Sequence, residues 1–90
     1  MGTALVKIKL MPESPDTDLD AIEKKAKKII DKASTMPARI EKEPIAFGLV
    51  ALILTFAIDE SQSIDETENL LKKIPHVNSA EVIDFRRAIG

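Results

Sequence analysis

Residues 49–58 constrain this 90-residue chain more than any other stretch. Val50, Leu52, Leu54, Phe56 and Ile58 alternate with Leu49, Ala51, Ile53, Thr55 and Ala57. A strand here shows bulky apolar side chains on one face and smaller, mostly apolar ones on the other. A strand that is apolar on both faces belongs in the middle of a sheet, with a neighbour on each side. The rest of the chain must supply those neighbours. The apolar run 46–58 is broken by Thr55 and too short to span a bilayer, so no membrane association is expected.

The partners are legible. In residues 4–11, Ala4, Val6, Ile8 and Leu10 point one way and Leu5, Lys7, Lys9 and Met11 the other, the pattern of a strand with one buried face. Two prolines in Pro12-Glu13-Ser14-Pro15-Asp16 stop it. Thr17 or Asp18 can then cap a helix whose Leu19, Ile22, Ala26, Ile29, Ile30 and Ala33 fall on one stripe, with Met36-Pro37 as its end. Lys24, Lys25, Lys27, Lys28 and Lys32 lie off that stripe and read as a solvated face, with phosphate binding as the alternative. Residues 38–46 look extended, but Pro44 has no N–H for a ladder bond and demotes them to an edge or bulged strand. After a turn at 59–62, Ser63-Ile64-Asp65-Glu66 is a capping box opening a short helix, with Ile64, Thr67, Leu70, Leu71 and Ile74 inward, stopped by Pro75. Residues 76–85 read as a last strand, closed by Arg86 and Arg87, with 88–90 as a tail.

The order strand, helix, strand, strand, helix, strand is the split β-α-β arrangement: an α+β, ferredoxin-like plait formed by residues 1–90 as a single domain. Right-handed crossovers place the first and third strands centrally in a four-stranded antiparallel sheet, with both helices on one face and the other face open.

The chemistry open to the chain is limited. It has no cysteine, so disulfides, thiolate metal sites and a Cys nucleophile are excluded, and a cytoplasmic setting is expected. The single histidine, His76, has no nucleophile elbow near it and reads as a surface residue. Asp16, Asp18 and Asp20 have capping spacing rather than that of a calcium loop, and the three glycines, Gly2, Gly48 and Gly90, form no phosphate-binding motif. No metal site, cofactor or catalytic set is expected. A net charge of −2 and the absence of aromatics among Lys7, Lys9, Ala51 and Ile53 argue against direct nucleic-acid binding.

What remains is a display surface. Only three side chains are aromatic, and one of them, Phe47, stands beside Gly48 at the turn between the second and third strands. Such a Phe packs back onto its own core or is shown to a partner that buries it. Arg86 and Arg87, a solvated pair or a functional one, end the fourth strand, which runs parallel to the third and so finishes at the pole opposite Phe47.

The chain resembles the archaeal-type translation elongation factor 1-beta family. Its members are guanine nucleotide exchange factors of the GTPase elongation factor 1-alpha. The stretches that carry the resemblance are Met11-Pro12-Glu13-Ser14-Pro15-Asp16, Glu43-Pro44-Ile45-Ala46-Phe47-Gly48-Leu49-Val50-Ala51-Leu52, Ala80-Glu81-Val82 and Asp84-Phe85-Arg86-Arg87. The resemblance implies a plait fold, a role in exchange without covalent chemistry, and elongation factor 1-alpha as partner; the chain by itself is expected to be monomeric. It implies that Pro44, Phe47 and Gly48 form a partner-binding block whose aromatic packs on the partner's G domain. The similar exchange domain of eukaryotic elongation factor 1-beta ends in Phe-x-Lys, with a lysine that expels the magnesium ion, and matching that ending onto Phe85-Arg86-Arg87 puts Arg87 in the lysine's place with Arg86 before it. Here arginine stands in place of lysine and three residues follow it. The alternative is a ferredoxin-like regulatory module that binds a small ligand and dimerises through its open sheet face.

Overall fold

A computed structural model of the chain describes residues 2–34, 36–59 and 61–88. Six elements follow the expected order: β1 (Thr3–Pro12), α1 (Leu19–Ala33), β2 (Arg39–Pro44), β3 (Val50–Asp59), α2 (Ile64–Lys72) and β4 (Val77–Ala88). The strands form one antiparallel sheet in the order β2-β3-β1-β4, the ferredoxin-like plait. The doubly apolar β3 and the half-apolar β1 occupy the centre, where each has two ladder partners.

Register decides which side chains meet the helices. Ala4 lies opposite Ile58, Val6 opposite Phe56, Ile8 opposite Leu54 and Leu10 opposite Leu52. All eight are buried and form the core with Ile22, Ala26 and Ile30 of α1 and Leu71 of α2. Each large apolar side chain enclosed in this way is worth roughly 1.5–3 kcal/mol of transfer free energy. The open face carries Leu5, Lys7 and Lys9 from β1 beside Ala57, Thr55 and Ile53 from β3. Lys9 lies between Ile53 and Glu81, and Lys7 between Thr55 and Asp84, so charge alternates across that face. Ala51 and Ala57 are buried there. The face also carries Leu5 and Ile83, both partly exposed, so it mixes charged and apolar surface.

Four details depart from the sequence expectation. Helix α1 ends at Ala33 rather than at Met36-Pro37: Ser34 adopts an extended backbone, and its Oγ accepts from Met36 N–H at 3.2 Å. Leu70, expected on the inner stripe of α2, is 43% exposed. Strand β4 is longer than expected: Arg86, Arg87 and Ala88 pair with Leu5, Ala4 and Thr3, so the arginines lie within the ladder, and of the proposed tail Ile89 and Gly90 lie outside the described residues. A bulge beside Ile83 also shifts the register, because Asp84 faces Lys7 while Val82 faces Ile8. The extra residue resets the phase of the strand, so Ala80, Val82 and Phe85 share the helix-side face despite their unequal spacing.

Candidate functional site

Proline and glycine build the Phe47 turn. Pro44 pairs with Val50 at the last rung of the β2–β3 ladder and has no N–H to continue it. Beyond it, Ile45 N–H donates to Leu49 O at 2.7 Å and Leu49 N–H donates to Ala46 O at 3.4 Å. These bonds close a one-turn 3-10 reversal over Ala46–Gly48. Reversal in so short a span uses the left-handed backbone region twice, with Phe47 at φ 64°, ψ 28° and Gly48 at φ 77°. Glycine enters that region freely. A Cβ added to Gly48 would meet Pro15 at 3.8 Å, an ordinary contact, so the dihedral and not the space calls for glycine. Phe47 has no such freedom, and the left-handed backbone costs it about 1–2 kcal/mol.

The side chain of Phe47 does not offset that cost within the molecule, since it is 94% exposed. Of the two arrangements open to a turn phenylalanine, the structure adopts display. Backbone outliers of this kind concentrate at binding sites and ligand clamps, where the surrounding structure holds them in place.

The surroundings of the turn are tied down. Gly48 lies beside Pro15 of the β1–α1 loop. That loop is closed by Thr17 N–H donating to Ser14 O and Ser14 N–H donating to Thr17 Oγ1, each at 3.2 Å. It is joined to the loop before β4 by Glu13 N–H donating to His76 O at 3.0 Å, and Glu13 Oε1 lies 3.2 Å from His76 Nδ1. His76 also has a left-handed backbone, φ 70°. Three loops thus converge beneath one displayed aromatic. Sequence reasoning found the aromatic and missed the Glu13–His76 tie, which joins residues 63 positions apart and leaves no local signal.

Arg86 and Arg87 are at the other pole. Ala88 pairs with Thr3, and Thr3 with Asp59 at the end of β3, whereas Phe47 precedes the start of β3. The long axis of the molecule is 42 Å, against 21 and 19 Å for the other two. The five residues expected to bind a partner therefore form two groups, Pro44, Phe47 and Gly48 at one end and the arginines at the other. The arginines themselves differ. Arg86 lies opposite Leu5 on the open face, and its Nε is 3.1 Å from Asp84 Oδ2. Arg87 lies opposite buried Ala4, hence on the helix side, and it makes no ion pair among the described residues. Near this pole Asp59 Oδ1 accepts from Ser61 N–H at 2.9 Å and from Ser61 Oγ at 2.8 Å. These two bonds, the backbone one foremost, hold its carboxyl below the usual carboxylate range.

Among the described residues, no group of His, Asp and Glu side chains is placed to hold a metal ion, and no helix is long and apolar enough to cross a membrane. The candidate residues lie at two opposite poles of the sheet.

Comparison with known proteins places the chain in a family. Residues 5–88 match the family described as EF-1 guanine nucleotide exchange domain. The chain is 45% identical to elongation factor 1-beta of Methanobrevibacter smithii, over 97% of this chain and 98% of that protein. It is 41% identical to elongation factor 1-beta of Methanosarcina barkeri, over 97% and 99%, and 43% identical to that of Thermococcus kodakarensis, over 83% and 84%.

Proposed function

The chain belongs to the EF-1 guanine nucleotide exchange domain family, and from that membership we propose that it promotes GDP-for-GTP exchange on elongation factor 1-alpha during translation elongation. The observation that carries the reading from family to residues is Phe47, a solvated aromatic on a strained turn. An aromatic held in this state suits a partner pocket, and the three converging loops reduce the ordering cost of docking it. Pro44 and Gly48 act by setting the shape of the turn. Arg87 supplies a cation at the other pole, in the place where the GTPase would otherwise hold Mg²⁺ against the nucleotide phosphates. Arg86, already engaged by Asp84, orients the strand end. A partner that touches both poles meets this chain along its 42 Å length.

The mechanism is linkage. A surface that binds the nucleotide-free GTPase more tightly than the GDP-loaded one lowers GDP affinity by the same factor, because the two equilibria share a thermodynamic cycle. No bond is made or broken, and no cofactor is needed. A guanidinium in that place would supply one positive charge where Mg²⁺ supplies two, which would weaken the hold on the bound phosphates and make the two affinities differ. Arginine presents a planar fork where lysine presents a compact charge, so the displacement is one of charge and not of coordination geometry.

The test is the affinity of this chain for elongation factor 1-alpha in its empty and GDP-loaded forms. The empty form should bind more tightly, and Phe47→Ala should weaken that binding by about 2 kcal/mol, roughly thirtyfold. Equal affinities for the two forms would remove the linkage. Undiminished binding by the variant would remove the anchor.

A further inference from the structure

The sequence places Leu70 against the core, yet the structure leaves it 43% exposed on the wall of a groove between the two helices. The groove encloses about 420 Å³, within the roughly 300–1,000 Å³ of sites that take a small ligand or a few side chains. Ile29, Ala33 and Ile58 form its apolar floor, Lys32 stands on the α1 wall, and Glu66 and Leu70 stand on the α2 wall. The cation is not isolated. Lys25, Lys28 and Lys32 are spaced by three and four residues, so they form one stripe along the same flank of α1. Lys24 and Lys27 fall on the opposite flank, where they border a separate groove with Glu23 and Ile40. Among the described residues none of the α1 lysines makes an ion pair.

We propose that this groove binds an acidic amphipathic helix from another protein. Its apolar anchors seat between Ile29 and Leu70, and its carboxylates lie along Lys25, Lys28 and Lys32. Lys32 beside the apolar floor, with Lys25 and Lys28 in line with it along α1 and none of the three ion-paired among the described residues, specifies both halves of that partner. The stripe covers about 10 Å at 1.5 Å per residue, two turns of helix. The matching segment therefore carries acids at i, i+3 or i+4, and i+7, with leucine-type anchors beside them. Nucleic acid and anionic membrane also attract lysines, but they leave the apolar floor of Ile29, Ala33 and Ile58 unused, whereas an amphipathic helix fills it with apolar anchors and keeps its carboxylates on the Lys32 side, away from Glu66 on the facing wall. The groove is far from the Phe47 turn and close to the arginine pole, since Ile58 and Arg87 both pair with Ala4, but the inference uses neither arginine and does not rest on the exchange reading.

The experiment is an NMR titration of the isotope-labelled full chain with a synthetic helical peptide carrying glutamates at those positions beside a leucine stripe. Resonances of Ile29, Lys32 and Leu70 should shift together. The triple reversal Lys25→Glu, Lys28→Glu, Lys32→Glu should weaken binding by about tenfold or more, as should Leu70→Asp, while the same spectra report that each variant is folded. Replacing the peptide glutamates with glutamine should have a similar effect. Absence of shifts at millimolar peptide, shifts that survive both sets of variants, or tighter binding of homopolymeric RNA or phosphatidylserine vesicles would each overturn the proposal.

Discussion

At residue scale, Phe47 combines two unfavourable states, a left-handed backbone and a solvated aromatic. Its contribution to stability is therefore negative, and removing the side chain should help the fold. Phe47→Gly should raise unfolding stability by about 1 kcal/mol, because glycine relieves the backbone strain and no buried contact is lost. Chemical denaturation checks this, and a drop in stability would mean that the ring packs on the protein after all. At the other pole, the lowered pKa of Asp59 has a defined consequence. A carboxylate whose folded pKa lies below its unfolded value adds stability that is fully present above about pH 3.9 and is lost as pH falls through the folded pKa. Ser61→Ala removes the hydroxyl donor, so the Asp59 carboxyl should titrate closer to its ordinary value while the backbone bond still holds it partly down. An unmoved NMR titration would show that the hydroxyl contributes nothing.

At element scale, local chemistry and tertiary packing divide the determinants between them. The cap of α1 is local: Asp18 Oδ1 accepts from the N–H groups of Asp20 and Ala21 at 3.1 and 3.2 Å, while Thr17, the other candidate, is held by Ser14. Asp18→Ala should cost about 1 kcal/mol by thermal unfolding, and a value near zero would mean that solvent caps the helix equally well. The central position of β3 and the edge position of β2 were legible because hydrophobic alternation and Pro44 are properties of a few adjacent residues. The exposure of Leu70 was not, since helical period gives a face only to within a residue or so, and the gap between α1 and α2 depends on how both helices sit on the sheet. The bulge at Ile83 was hidden for a similar reason, because a one-residue slip is defined by the partner strand. Of the candidate site, the Phe47 turn was readable from Pro44, Phe47 and Gly48. The different surroundings of Arg86 and Arg87 required the register against β1.

At the scale of the whole molecule, the four strands hold the Phe47 turn at one end and the arginines at the other of a molecule 42 Å long, and in the proposed function the plait is a spacer between two contact points. Arg87 is on the helix side and makes no ion pair among the described residues, while Arg86 pairs with Asp84, so on the proposed reading Arg87 is the cation that acts on the partner. Arg87→Ala should therefore slow GDP release more than it weakens binding to elongation factor 1-alpha, whereas Arg86→Ala should change release little. Equal effects of the two changes would contradict the assignment. The most direct test of the whole account is release of a fluorescent GDP analogue from loaded elongation factor 1-alpha, with this chain added at substoichiometric amounts. The account predicts catalytic acceleration that Phe47→Ala and Arg87→Ala each reduce. Release at the unassisted rate, with the GTPase shown to be folded and loaded, would contradict it.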